Sequence, residues 1–230
     1  MKFGVITFPG SNCDHDLLYC LEKISGRKPV NLWHKDTDLQ GCDMVFVPGG
    51  FSYGDYLRSG AIARFSPIMT EVMKFADKGG YVMGICNGFQ ILTESGLLPG
   101  ALLHNDSQKF ICDNVYLRCE TSDSLITSGI NKNEVLKIPI AHGEGRFYCD
   151  NETLKQLNDN NQVIFRYCDE HGKVTASANP NGALDNIAGI CNKNRNVFGM
   201  MPHPERAWSE ILHNTDGKKI FESILAAIPA

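Results

Sequence analysis

Position 86 is a cysteine inside Gly84-Ile85-Cys86-Asn87-Gly88-Phe89-Gln90, with a glycine two places to either side. An apolar run of strand type, Tyr81–Ile85, stops at this cysteine, and a helical spacing (Phe89, Ile91, Leu92) begins beyond it. Small-x-nucleophile-x-small across a strand-to-helix turn is the pattern of a nucleophile elbow, here with sulfur in place of a hydroxyl. The turn is sharp and brings backbones together, which is why it needs glycine on both sides. The helix starting there aims its N–H groups and the positive end of its dipole at the sulfur, which favours thiolate. A cysteine nucleophile needs a base, and the base needs an orienting group. Pro202-His203-Pro204-Glu205 supplies both. If the prolines hold this segment extended, His203 and Glu205 share one face and the carboxylate sets the imidazole tautomer. Acyl transfer also needs donors for an oxyanion. The backbone of Gly49-Gly50, at a strand end, and the N–H of Asn87 are the candidates. The chemistry in view is attack by Cys86 on a carbonyl, with His203 moving the proton and Glu205 holding His203.

These groups need elements to carry them. Phe3–Phe8, Pro29–Trp33, Met44–Val47 and Tyr81–Ile85 read as short buried strands. They alternate with helical patterns at Asp14–Ile24, at 60–78 (ending at Gly79-Gly80) and at the elbow helix to Glu94. Asn12 or Asp14 is the candidate cap for the first of these. Alternating short apolar strands and helices predict a three-layer α/β fold: a mostly parallel central sheet flanked by helices. After Pro99-Gly100 the character changes. Ile111–Thr121, Val135–Ala141, Gln162–Tyr167, Ile187–Cys191 and Val197–Met201 predict extra strands, antiparallel at one side of the sheet. Val197–Met201 runs straight into the His203 segment, so the sheet itself can deliver it to the edge where Cys86 lies. Residues 168–186 are polar and rich in turn residues, as expected of a surface loop. Residues 217–228 are expected to form an amphipathic closing helix. There is no repeat and no linker, so residues 1–230 are expected to form one domain.

Composition narrows the functions open to the chain. A net charge of −4 leaves no basic footprint for nucleic acid. No apolar run approaches the roughly 20 residues of a membrane span, and the N-terminus enters a strand directly rather than a signal peptide. Nine cysteines, an odd and scattered number with no C-x-x-C, argue against a disulfide framework and for a reducing cytoplasm. His15, His34, His104, His171 and His213 lack ligand spacing and read as structural or surface groups; no metal site is expected. There is no Walker A loop and no G-x-G-x-x-G.

Taken together, Gly49-Gly50, the elbow at 84–90 and His203-Pro204-Glu205 resemble the three signatures of the class I (triad) glutamine amidotransferases. The resemblance implies a flavodoxin-like glutaminase fold and hydrolysis of L-glutamine through a γ-glutamyl thioester on Cys86. It also implies an oxyanion hole of Gly50 and Asn87, with Gly49 and Gln90 seating the substrate. Longer stretches narrow it: Phe8–Asp14, Gly49–Arg58, Ile140–Phe147 and Met200–Arg206 are similar to the glutaminase subunits of a purine-biosynthetic ligase. Membership implies conversion of formylglycinamide ribonucleotide to its amidine. A separate synthetase subunit is then expected to use ATP and Mg²⁺, while a third, small subunit helps assembly. The chain itself is expected to carry no cofactor. A glutaminase that released ammonia into neutral water would lose most of it to protonation, so direct transfer to a docked partner is expected. Phe51, Tyr53, Asp55 and Arg58 in one loop, and His142, Glu144 and Arg146 in another, are candidates for contacts with that partner or its ammonia route. The first loop can equally pack over the glutamine pocket, and the second can be a solvated hairpin turn. The rival readings are a triad glutaminase serving another synthetase, a stand-alone DJ-1-like cysteine-elbow protein, and a non-catalytic interaction subunit.

Overall fold

The computed structural model describes residues 1–227. The first half alternates as its apolar spacing requires: β1 (Phe3–Thr7), α1 (Asp14–Ser25), β2 (Val30–Trp33), β3 (Met44–Val47), α2 (Pro67–Asp77), β4 (Tyr81–Ile85) and α3 (Asn87–Glu94). The second half is richer in strands: β5 (Ala101–Leu103), β6 (Ile111–Cys119), β7 (Val135–His142), β8 (Arg146–Tyr148), α4 (Asn151–Asp159), β9 (Val163–Cys168), β10 (Ile187–Cys191), β11 (Val197–Met200) and α5 (Lys218–Ala227).

Among the described residues nine strands form one sheet, in the order β2-β1-β3-β4-β11-β10-β9-β6-β7. The first five run parallel; β10, β9, β6 and β7 continue antiparallel. The sheet is therefore mixed: a parallel half beside an antiparallel extension from the C-terminal part of the chain. Every residue of β3 and β11 is buried, as expected of strands covered on both faces. Successive residues of a strand face opposite sides, and β3 shows which helix covers which side. Phe46 packs toward Phe221 of α5, with ring centroids 6.4 Å apart. Its neighbour Val47 lies against Gly88 of α3. The helices thus form two outer layers, with α1 packed on α5 in one of them.

Several local expectations are corrected. The helix predicted over 60–78 begins only at Pro67, because Ser66 before the proline is extended (ψ 142°) and a short 3₁₀ turn, Ala63–Phe65, precedes it. Neither Asn12 nor Asp14 caps α1: Cys13 holds the cap position, and Asp14 accepts a hydrogen bond from Thr7 Oγ1 at 2.9 Å. The stretch 168–186 is no plain surface loop. It contains two 3₁₀ turns, and its Asn181 is fully buried with Nδ2 donating to the Gly145 carbonyl at 2.8 Å. The β5–β8 ribbon has no counterpart among the expected elements, nor does α4, which Asp150 caps by accepting from the Thr153 N–H (2.7 Å). Residue 228 of the closing helix lies outside the described residues.

The fit of α3 onto the sheet rests on absent side chains. A Cβ at Gly88 would stand 1.8 Å from the Val47 carbonyl oxygen, and one at Gly84 2.6 Å from the Gly88 backbone. Backbone cannot yield as a side-chain tip can. Gly88→Ala is therefore expected to cost about 3 kcal/mol or more, read as an early transition in a urea melt. A wild-type midpoint would show that the helix has room to move.

Candidate active site

Cys86 occupies the reversal between β4 and α3 with φ 53° and ψ −107°, a conformation L-residues avoid. Two backbone bonds hold it there. Its N–H donates to the Met200 carbonyl of β11 (2.8 Å), and its own carbonyl receives the Gln90 N–H (3.2 Å). The side chain is only 5% exposed, and the thiol is aimed at the Ala141 carbonyl, 3.7 Å away.

β11 carries the chain from Met200 to His203, whose N–H donates to the Pro139 carbonyl of β7 (2.8 Å). His203 and Glu205 do not lie along an extended segment as expected. Pro204 starts a 3₁₀ turn over Pro204–Arg206, because its fixed φ suits a first helical position. The turn still brings the two side chains together: His203 Nδ1 and Glu205 Oε1 are 2.6 Å apart, both almost fully buried. Burial works against an imidazolium here, yet His203 is held well above the ordinary histidine range. The Glu205 carboxylate and the Cys86 sulfur outweigh the desolvation, with Cys13 adding to them. Nε2 of His203 has no hydrogen-bond partner, so the nitrogen opposite Glu205 is free for a proton transfer.

A second sulfur touches this pair. Cys13 Sγ, a His203 ring nitrogen and a Glu205 oxygen lie within 4.8 Å of one another. The donor set would suit a thiophilic cation, but each member is engaged: the sulfur by Arg206 Nη2 at 3.0 Å, and His203 Nδ1 and Glu205 Oε1 by each other at 2.6 Å. Arg206 in turn pairs with Asp16 at 3.2 Å. Cys13 does not line the cleft, whereas Cys86 lines it with Gly50, Gln90, His142 and Glu144. The cleft holds about 140 Å³, below the roughly 300 Å³ where drug-sized pockets begin. That is room for a small metabolite.

Two donors face the cleft region. Gly50 has φ 133°, and a Cβ there would lie 2.7 Å from the Asn12 nitrogen, so only glycine fits. Asn87 begins α3, where N–H groups have no acceptor within the helix. The Asn87 side chain ties neighbouring segments together. Its Oδ1 accepts from the Ser52 N–H (3.1 Å), and its Nδ2 donates to Gln90 Oε1 (2.8 Å) and Asp55 Oδ1 (3.3 Å). Gln90 Nε2 continues to the Glu144 carbonyl at 2.6 Å. Gly49 packs directly on the His203 ring: a Cβ would stand 2.8 Å from its Cε1.

The two loops divide. Phe51, Asp55, His142 and Glu144 line the cleft. Tyr53 turns inward and bonds His34 Nδ1 (2.7 Å) and Ser66 Oγ (3.0 Å). Arg58 points out and pairs with Glu94 at 2.7 Å, and Arg146 Nε donates to the His104 carbonyl at 2.9 Å. Neither arginine lines the cleft. His104 stands at the cleft rim, 3.5 Å from Glu144, beside Phe110. Sequence spacing marks His104 only as a structural or surface group, and it singles out neither Cys13 nor Phe110. Cys13 carries one available signal, its place inside the long stretch Phe8–Asp14.

A strained cysteine elbow, a buried His–Glu pair and backbone donors on one sheet edge form the working parts of a triad acyl-transfer site. The chain belongs to the CobB/CobQ-like glutamine amidotransferase domain family, whose profile matches residues 1–224. It is 58% identical to phosphoribosylformylglycinamidine synthase subunit PurQ of Koribacter versatilis, over 99% of each chain. It is 56% identical to the PurQ subunit of Nostoc sp., over 100% of this chain and 99% of the relative. Its structure matches a chain of PurLQS from Thermotoga maritima with a TM-score of 0.87 and 44% identity, covering 99% of both. The glutaminase domain of CTPS from Trypanosoma brucei shares the fold, at a TM-score of 0.62 and 12% identity, over 100% of this chain and 95% of that one.

The two sulfurs near His203 separate by substitution. Cys86→Ser is expected to lower glutamine hydrolysis by roughly 10³-fold or more with the melting temperature nearly kept, and Cys13→Ser by less than about tenfold. Equal losses in an ammonia-release assay would place Cys13 in the reaction.

Proposed function

We propose that this chain is the glutaminase subunit of phosphoribosylformylglycinamidine synthase, and that Cys86, His203 and Glu205 are its catalytic triad. It hydrolyses L-glutamine and passes the ammonia to a synthetase subunit. That partner uses ATP, with Mg²⁺, to convert formylglycinamide ribonucleotide to formylglycinamidine ribonucleotide in purine biosynthesis. A small third subunit completes the complex, in the manner of PurLQS. The chain works as one domain, in the cytoplasm, without a cofactor of its own. Among the described residues no helix is long and apolar enough to cross a membrane.

The chemistry follows from the arrangement. Cys86 Sγ, as thiolate, attacks the side-chain carbonyl carbon of glutamine. The electron pair moves to the carbonyl oxygen, which the N–H groups of Gly50 and Asn87 receive. Protonated His203 gives its proton from Nε2 to the amide nitrogen, the C–N bond breaks and ammonia leaves. Water, losing a proton to His203, then attacks the γ-glutamyl thioester, and the sulfur departs as glutamate forms. Glu205 holds the ring through Nδ1 and supports its positive charge. The observation that carries the reading is the strained Cys86 on one cleft wall, with a buried, carboxylate-paired imidazole beside it.

The reading is tested in the reconstituted complex. Cys86→Ser should abolish amidine formation with glutamine while ammonium salts still support it. A variant that keeps glutamine-dependent synthesis would remove Cys86 from the mechanism. A second outcome concerns pH. The Glu205 carboxylate opposes the desolvation that otherwise pulls His203 down. Glu205→Gln leaves desolvation dominant, so the imidazolium is lost at lower pH and the alkaline limb of kcat/KM moves downward. An unmoved limb would mean that the carboxylate does not set the charge of His203.

A further inference from the structure

The start of α1 meets the Pro204–Arg206 turn with polar side chains. Cys13, at the cap of the helix, and Asp16 and Cys20 recur at i, i+3 and i+7, so they share one side of it. Each answers to a charge on that turn. Arg206 donates from Nε to Asp16 at 3.2 Å and from Nη2 to the Cys13 sulfur at 3.0 Å. Burial, and behind it the Glu205 carboxylate, push the Cys20 thiol far up, so it stays protonated.

Cys13 is held from several directions. Its N–H donates to the Gly49 carbonyl (3.4 Å), and its carbonyl receives the Leu17 N–H (3.0 Å). Its thiol donates to Asn12 Oδ1 at 3.3 Å. A thiol has one hydrogen, so toward Arg206 the sulfur can only accept. The same sulfur lies within 4.8 Å of a His203 ring nitrogen and of a Glu205 oxygen. Gly49 shows how closely sulfur and ring approach each other. A Cβ there would lie 2.8 Å from His203 Cε1 and 3.1 Å from Cys13 Sγ, so both close on the same glycine. The imidazole needs such a wall. Its one side-chain bond, from Nδ1 to Glu205, leaves it able to pivot, and a displacement of about 1 Å at a reacting group can cost on the order of 10²-fold in rate.

We propose that Cys13 is a positioning residue for the triad histidine: its sulfur, fixed by Arg206 and Asn12, braces the His203–Glu205 pair and keeps the ring in place for proton transfer. The inference rests on the glutaminase reading and deepens it, by adding to the triad a contact that never meets the substrate. Cys13 lies outside the cleft that Cys86 lines, so its loss should be felt in turnover rather than in binding. It should also be felt in charge. Burial lowers His203, and Glu205, Cys86 and then Cys13 hold it up against that.

The test is the pH dependence of glutamine hydrolysis by the complex with the synthetase, in Cys13→Ala and Cys13→Ser. Alanine removes the sulfur, whereas serine keeps a group that accepts from Arg206 and donates to Asn12. Cys13→Ala is expected to lower kcat by about tenfold or more with KM nearly kept. The alkaline limb of kcat/KM should move to lower pH, because the imidazolium loses a neighbour that favours it. Cys13→Ser should restore the limb and most of kcat. A wild-type kcat in the alanine variant, an unmoved limb, or a serine variant as impaired as alanine would overturn the proposal. The other groups facing His203 do not confuse the reading. Glu205, Cys86 and Arg206 are the same in both variants, and His142, at the end of β7, is pushed down to about 4 by burial and by the charge of His203, so it is already neutral. Arg206→Gln guards against an alanine variant that does not fold. It strands no buried charge, since Asp16 is half exposed. It frees the sulfur, and should lower kcat by about threefold or more with KM kept; a wild-type kcat there would overturn the proposal. If the wild-type complex releases no ammonia from glutamine, the glutaminase reading itself falls and this proposal with it, whereas the variant outcomes bear on Cys13 alone.

Discussion

The backbone at Cys86 is the constraint from which the rest of the site follows. An L-residue at φ 53° and ψ −107° is strained by about 1–3 kcal/mol, and it persists only where the surroundings over-determine it. Here they do. Gly84, Gly88 and Gly199 remove the side chains that would keep α3 off the sheet; a Cβ at Gly199 would stand 2.1 Å from the Phe89 ring. With the helix that close, Phe89, Ile91 and Leu92 are completely buried. Each such side chain contributes roughly 1.5–3 kcal/mol on leaving water, enough to offset the strain of the turn. The sulfur therefore has little freedom: it is set at the carboxyl end of β4, where ligands of parallel α/β sheets gather.

That edge collects the remaining groups because neighbouring strands end there too. β3 stops before Gly49-Gly50, β11 runs into His203, and the end of β7 supplies Ala141 and His142. The electrostatics then depend on burial acting in opposite senses on two histidines. His142, tied to a neutral amide, is driven toward the uncharged form. His203, equally buried, is held charged because Glu205 and the Cys86 sulfur face it. One fold edge thus keeps an acid and a permanent acceptor side by side, through the partners it gives them rather than through residue type.

What can be read from the sequence is what is local in it. The elbow, the His203–Glu205 spacing and the Gly-Gly at a strand end are short patterns whose chemistry survives translation into structure. The parallel half of the sheet is equally plain, since fully buried strands write themselves as apolar runs. The helix at 60–78 misleads because apolar spacing continues through Pro67 although the backbone cannot. The stretch 168–186 misleads through composition: asparagines that look solvent-facing are turned inward to bond backbone, as Asn181 does with Gly145. Cys13 reaches His203 only through tertiary contact, so no spacing rule reveals it. Tyr53 and Arg58 belong to a loop with the aromatic-plus-arginine character of an interface, and each is bonded within its own chain, to His34 and Glu94.

The hydrogen-bond circuit around Asn87 adds a consequence that single residues do not have. Ser52 bonds Asn87, Asn87 bonds Gln90, Gln90 bonds Glu144, and Glu144 returns to Ser59 on the first loop. Asn87, the cleft carboxylates and residues 52–59 are therefore tied into one hydrogen-bonded unit. Tyr56 and Leu57 of that loop are exposed, and so is Phe65 close behind it in the chain. A partner covering those apolar side chains would press on the segment that holds Asp55 and Ser52. A partner that ordered that loop on docking would bias the cleft it helps to build, and by linkage any ligand that ordered the same loop would tighten docking by the same factor. Such coupling would require no separate relay, because the hydrogen bonds to Asn87 and the exposed apolar side chains belong to one short segment.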